Sequence, residues 1–484
     1  MKLLFKQLFL RRVFLLRIAL IFCGFGHQTI YARGYFRVLG APLVAPWRIA
    51  PTDNADSCKT HALMRDKTSV CSDTGLVTIA GTVGYGPYVL EDASVTLQGF
   101  FNGVPSVFIQ SGGKYEFSNA LPVSSDAIVT PALDLDPLNG VNTWDLILIS
   151  RHILAVELLN TPYKLIAADA NKSGTVTAFD IVELRKLILG TYQQLPSNTS
   201  WRFVDQTQVF TNPIDPFTDG IRETLEFFNI QNDITNGDFI GVKIGDVDGT
   251  ATPNNLVSSD DRTDGTLLLD LEDRMVNAGE TFAVTFTADQ VVKGYQFTLN
   301  LDGLKVESII GEGMSEEHFA VFSNAITTSW DAPVTFNGKA AFTVTFTATK
   351  NGKLSEMLSV SSRITKALAF LSTSPDESRK LGVALRFNNG GSSSIAGQAF
   401  ELYQNVPNPW VDQTVIGFYL PEAGTVNFQL YDMSGKILYR TLGDFSQGYH
   451  SLNIGKNMVQ NNCVLYYSAS YNGMNIVRKM IKFD

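Results

Sequence analysis

The chain has 484 residues, 45% of them hydrophobic and only 18% charged, with a net charge of −9; that length gives room for about three domains. No basic stripe is present, which argues against nucleic acid as a partner. Phe (32), Tyr (16) and Gly (39) are plentiful and Thr, Val and Phe recur in short alternating runs, the composition of β-sandwiches and not of helical enzymes.

Residues 1–32 read as an export signal. Lys2, Lys6, Arg11 and Arg12 form a basic start, an apolar run over 13–26 follows, and Ile30-Tyr31-Ala32 ends in a small residue suited to cleavage. Arg17 interrupts the apolar run, which is too short for a comfortable membrane span. Residues 33–75 form an irregular linker with Pro42, Pro46 and Pro51. Cys58 and Cys71 within it are either a disulfide, as an exported protein permits, or two unpaired thiols.

Residues 76–133 predict a small β domain. Runs at 77–83, 93–97, 107–109, 114–117 and 127–130 alternate with period two and are separated by Gly, Pro and Asn. The succession Gly81-Thr-Val, Ala93-Ser-Val-Thr-Leu and Gly113-Lys-Tyr-Glu-Phe resembles the transthyretin-like sandwiches of carboxypeptidase regulatory domains. That resemblance implies a carbohydrate-binding-like fold, with Tyr85, Tyr88 and Phe101 as either sugar contacts or core and spacer residues.

Residues 134–200 contain one unit written twice, offset by 35 residues between Asp134 and Asp169 and again between Asp145 and Asp180. Such a repeat outranks local signals in setting architecture. The second copy has the chemistry of a calcium loop. Ca²⁺ takes six to eight oxygens. Asp169, Asn171 and Ser173 stand at loop positions 1, 3 and 5, Gly174 permits the turn, the Thr175 carbonyl serves position 7, and Asp180 closes the loop at the head of a helix. The first copy keeps Asp134, Asp136, Asp145 and Asn139 as candidate ligands, but Leu138 replaces its fifth-position oxygen and its glycine has moved to Gly140. The competing reading of both loops is a solvated turn or an Asx-type helix cap.

This unit resembles the dockerin module, with short helices expected at 145–154 and 180–189. The resemblance implies Ca²⁺ as cofactor and a cohesin-type protein partner, met by a surface that includes Arg151 and Lys186. The residues before the closing Asp are Thr143-Trp144 and Ala178-Phe179, so the hydroxyl pairs with which many dockerins read cohesin are largely missing.

Strands are expected at 201–204 and 238–244 in an extension, 201–264, that ends as a polar linker. Asp246 and Asp248 there read either as turn caps or as extra carboxylates for a calcium site. Residues 265–388 predict a second, larger sandwich from alternating runs at 266–271, 280–286, 294–301, 325–330, 340–346 and 382–387, with Phe282, Val284, Phe286, Phe342, Val344 and Phe346 facing inward. Asn277-Ala-Gly-Glu-Thr-Phe followed by Val292-Lys-Gly-Tyr-Gln-Phe-Thr-Leu resembles cohesins and related carbohydrate-binding sandwiches. Residues 389–399 read as a flexible linker. Over 400–484, Leu402-Tyr-Gln-Asn-Val-Pro-Asn-Pro-Trp410, Leu420-Pro-Glu-Ala-Gly424 and Leu430-Tyr-Asp-Met-Ser-Gly-Lys436 resemble the type A sorting domain of type IX secretion. This implies export through both membranes and release or anchoring at the outer-membrane surface.

The fold expected is thus mainly β: a multi-domain chain of antiparallel β-sandwiches with one small helical calcium-binding repeat. The functional reading is a secreted or cell-surface, non-catalytic, calcium-binding protein that binds or scaffolds around polysaccharide. A polysaccharide-degrading enzyme is the alternative. It needs two carboxylates on one cleft, while the five His are scattered and no H-E-x-x-H, G-x-S-x-G or phosphate loop occurs. A third reading is assembly, the sandwich of one chain gripping the repeat of another.

Overall fold

The computed structural model describes residues 75–484 except 255–262, 264, 333–335, 337, 373–377, 390–391, 397–399, 422, 446–447, 460–462 and 484. The expected export signal and Cys58 and Cys71 lie outside the described residues. No described helix is long and apolar enough to cross a membrane.

Period-two alternation builds the first sandwich. In strand Leu76–Tyr85 the residues Val77, Ile79 and Val83 are buried while their neighbours are not, so one face seeks a partner layer. That strand pairs antiparallel with Lys114–Pro122 and parallel with Phe239–Lys243, where Val83 faces Phe239. Trp201–Asp205 then pairs with Phe239–Lys243. The facing sheet runs Val104–Ser111, Ser94–Phe101, Asp126–Ala132, Leu225–Phe227. The first β domain therefore does not end near 133. The stretch read as an extension supplies three of its strands, and the shared core takes Val77, Leu97 and Val129 from one side of the repeat and Trp201, Phe203 and Phe239 from the other. The helical repeat is an insertion in a sandwich.

Within the insertion, helix α1 spans Thr143–Ile153, α2 spans Pro162–Ala168 and α3 spans Ala178–Ile188. Each starts where a side-chain oxygen can satisfy orphan amide groups. Asn142 caps α1 and Thr177 caps α3, each completing a capping box with the closing carboxylate, Asp145 or Asp180. The helices thus begin two residues earlier than the sequence predicts, because the closing Asp is the third helical residue and not the first. Helix α2 has its own signal in Thr161-Pro162, a cap followed by Pro at the first turn.

The second sandwich spans 266–396. The six expected inward residues, Phe282, Val284, Phe286, Phe342, Val344 and Phe346, are all buried. Their register is direct, Phe282 opposite Phe346 and Phe286 opposite Phe342, and the latter rings stack at 4.7 Å. Two features depart from the expected sandwich. Thr266–Glu272 pairs parallel with Ser378–Asn389. The polar run expected as a linker includes a strand, Ser392–Ala396, which folds back on Ser378–Asn389; paired backbone outweighs the flexible composition.

The repeat lies directly on this sandwich. Gly294 opens the approach: a Cβ there would lie 3.0 Å from Ile147 Cδ1 and 3.1 Å from Thr143 Cγ2. Trp144 stacks on Phe370 of the sandwich at 6.3 Å, and Phe370 belongs to the helical core cluster.

Residues 400–483 form a third sandwich of three- and four-stranded sheets around Trp410, Phe418, Phe428 and Tyr467.

Candidate metal centre

The second loop brings its predicted residues together. Asp169 Oδ1 accepts from Ser173 N at 2.8 Å and Oδ2 from Gly174 N at 3.0 Å. Asn171 Oδ1 accepts from Ser173 N at 3.0 Å, and Ser173 Oγ lies 3.2 Å from the Thr175 carbonyl. Asp180 Oδ1 accepts from Asn171 N at 3.2 Å and Oδ2 from Thr177 N at 2.8 Å. Gly174, at φ +78°, turns the chain between them. Asp169 and Asp180 are fully buried. Burial raises the Asp180 carboxyl above its ordinary range, and the charge of Asp169 adds to that, against the hydrogen bonds from Thr177 and Asn171. Arg202 Nη1, 3.8 Å from Asp169 Oδ2, is the nearby counter-charge, and it is shared with Glu223. Oxygen donors in this order fit Ca²⁺: Asp169, Asn171, Ser173 and Asp180 by side chain and Thr175 by carbonyl would hold it.

The first loop is built differently. Asp134 is exposed and accepts from Ser200 N and Oγ at 2.7 and 2.6 Å. Asn139 exchanges hydrogen bonds with the Thr252 backbone, at 2.9 Å to its carbonyl and 3.0 Å from its amide. Asp136 is half-buried; desolvation raises its pKa, and Lys243 opposes that. Asp145 accepts from Asn142 N and from Val247 N, both at 2.9 Å. Asp134, Asn139 and Asp145 therefore make separate attachments, and Asp145 faces the turn after strand Phe239–Lys243.

That turn carries residues whose role the sequence left open. Asp246 Oδ1 accepts from Gly249 N at 3.0 Å and Thr250 N at 2.9 Å, and Oδ2 from Ala251 N and the Tyr85 hydroxyl, both at 2.9 Å. Asp246 is thus a turn cap, as one reading had it, but it also lies in a group with Asp145 and Asp248. Burial drives the Asp145 carboxyl well up, reinforced by Asp248 and Asp246. Asp248 is pushed up to about 8 by burial and by Asp246. Lys243, almost fully buried, is pushed down to about 8 by desolvation. The Gly-Asp-Val-Asp-Gly run at 245–249 was the signal for this group; the distant Asp145 was not.

Tyr85, a candidate sugar contact, is used internally, its ring edge-on to Trp201 at 5.1 Å. Tyr88 is 44% exposed and Phe101 half-buried.

The face of the repeat turned toward the second sandwich carries buried hydrogen bonds beside the Trp144–Phe370 stack. Thr143 N and Oγ1 donate to Gln296 Oε1 at 2.7 and 2.9 Å, and Oγ1 meets Ser329 Oγ at 2.8 Å, with all three residues buried. Thr365 Oγ1 donates to the Ile188 carbonyl at 2.7 Å and Thr327 Oγ1 to that of Leu189 at 2.8 Å, satisfying the end of α3. Ser150 Oγ donates to Asp331 Oδ2 at 3.3 Å, and Arg185 Nη2 donates to Asp331 Oδ1. A basic side chain that meets the sandwich is thus Arg185; Arg151 pairs with Glu157 and Lys186 with the Tyr192 hydroxyl. A separate cleft of about 580 Å³, lined by Asn300, Arg363, Glu401, Tyr403 and Arg478 among others, contains none of the predicted ligands.

Residues 133–189 match the dockerin type I domain family. Dockerin type I domains bind Ca²⁺, recognise cohesins and belong to extracellular or cell-surface proteins. No curated protein matches the chain. Among solved structures, an apo β-glucuronidase 3 of Bacteroides uniformis is similar over 43% of this chain and 27% of its own, at 9% identity and a TM-score of 0.16. The I67–I69 fragment of the titin I-band is similar over 46% of this chain and 64% of its own, at 9% identity and a TM-score of 0.14. In both the chain covers less than two thirds of the other protein, and at these scores neither likeness bears on function.

Proposed function

We propose that this is a secreted or cell-surface, non-catalytic scaffold in which a calcium-binding dockerin repeat is clamped by a sandwich of its own chain. The observation that carries the reading is the buried contact of Thr143 with Gln296 and Ser329, because it covers the helix start that lies just before a loop-closing Asp. On this reading the 265–388 sandwich, which resembles cohesin, is the partner of the repeat in cis. Calcium held by Asp169, Asn171, Ser173, Thr175 and Asp180 stiffens the insertion between two sandwiches. The surfaces left free would bind or present polysaccharide, and the 400–484 domain, which resembles type IX sorting domains, would direct export and surface attachment.

The test combines hydrodynamics with calcium. The purified chain should be a monomer at high concentration with and without Ca²⁺, should melt at higher temperature in Ca²⁺ than in chelator, and should ignore an added type I cohesin. Calcium-dependent oligomers would replace the cis clamp with assembly between chains. Hydrolysis of a polysaccharide panel would replace the scaffold with an enzyme.

A further inference from the structure

We propose that Asp145, Asp246 and Asp248 form a second divalent-cation centre, suited to Ca²⁺, that bolts the helical insertion to the first sandwich. It lies outside the loop at Asp169 and does not depend on that loop being filled. One carboxylate oxygen from each of the three residues lies within 4.8 Å of those of the other two. Asp145 is fully buried and Asp246 is 5% exposed. Asp248 Oδ1 is shut away from solvent and accepts no hydrogen bond. An acceptor oxygen in that position has lost water without gaining a donor, which costs free energy unless a cation stands opposite it.

The charge balance points the same way. Lys243 is the buried cation of this region, but its ammonium donates to the carbonyls of Pro137 at 2.8 Å and Ile244 at 3.2 Å, not to the three carboxylates. Lys380 also faces Asp248, so two ammonium groups stand against three carboxylates. The donors on offer are oxygens alone, which a hard cation prefers.

The departures of the first loop become intelligible on this reading. Asp145 stands where Asp180 stands in the other copy. The displaced glycine, Gly140 at φ +78°, sits where a Cβ would lie 2.9 Å from Asp246 Cγ and 2.7 Å from Ala251 N. Only a bare backbone lets the 246–251 turn come this close. Asn139 then clasps Thr252 on the far side of the turn. The loop has exchanged ligands of its own for a carboxylate pair delivered by the strand that completes the first sandwich. The turn is already held for the task, since Asp246 is fixed by three amides and the Tyr85 hydroxyl.

The experiment uses the full chain, stripped with chelator, then equilibrated with Ca²⁺ and assayed for bound metal by elemental analysis and by calorimetric titration. The wild type should hold two ions. Asp248→Asn, which keeps the shape of the side chain, should hold one and lose part of the calcium-induced rise in Tm. Asp169→Asn should lose the other ion. Tyr85→Phe, which leaves every carboxylate in place, should weaken only the composite centre, by about tenfold, and so tests the site even if Asp248→Asn folds poorly. A wild type with one ion, lost in Asp169→Asn and kept in Asp248→Asn, overturns the proposal and leaves the second loop standing. One ion lost in Asp248→Asn and kept in Asp169→Asn upholds the centre and removes the loop. An Asp248→Asn variant that is more stable than wild type in saturating Ca²⁺ also overturns it, since the carboxylates would then be sharing a proton.

Discussion

Trp144 and Phe179 hold the same place in two copies of one unit, and their surroundings are opposite: Trp144 is 1% exposed against the second sandwich and Phe179 is 75% exposed. Ser150 and Arg185 are likewise equivalent, yet both reach the same residue, Asp331. Asp145 and Asp180 are equivalent again; one faces carboxylates from the turn after strand Phe239–Lys243 and the other closes a self-contained loop. The two copies offer similar surfaces, and the surrounding framework uses them unequally. The first copy buries its aromatic and turns its closing carboxylate toward another part of the chain, while the second leaves its aromatic outside and closes a loop of its own.

Substitutions at paired positions measure that inequality. Trp144→Ala should cost about 3–5 kcal/mol in urea unfolding, since it empties a packed site, and a loss under 1 kcal/mol would mean the first copy is not docked in solution. Arg185→Met should cost about 3 kcal/mol by leaving Asp331 without its buried partner, whereas Ser150→Ala should cost about 1 kcal/mol or less. A double-mutant cycle between them tests whether Asp331 couples the two copies. Asp169→Asn in Ca²⁺ should lower stability by about 2.7 kcal/mol when calcium stands at a hundred times the dissociation constant of that loop, and removing Ca²⁺ altogether should cost more.

Lys243 gives a pH test. Its folded pKa, about 8, lies below its ordinary 10.5. Below pH 8 the ammonium is present in both states and its burial disfavours folding; above 10.5 it is neutral in both and that penalty is gone. Wild-type stability should therefore rise between those values, by about 3 kcal/mol, relative to Lys243→Met. Equal pH profiles for the two proteins would show that the lysine is hydrated. The smallest effect belongs to Phe179→Ala, expected to stay within about 0.5 kcal/mol. A larger loss would mean that the exposed aromatic packs on something in solution.

What could be read in advance was local. Alternation located the strands around Phe282 and Phe342, because one face of each is buried along its whole length. The 35-residue offset located both loops and both helices. What could not be read was pairing at a distance. Nothing in 76–85 announces a parallel partner at 239–243, and the short strand Leu225–Phe227 has too few residues for a period. Thr143 reads as an ordinary polar cap position; its burial depends on Gln296 and Ser329, far along the chain. The serines at 392–394 looked like a linker because composition does not report that backbone groups are paired.

The insertion also sets an order on synthesis. Strand Leu76–Tyr85 waits for Phe239–Lys243, so the first sheet stays an open template until every helix of the repeat has been made. A nascent chain must carry an unfinished edge past its own helical segment, and the slowest step of folding should be the late arrival of that one central strand.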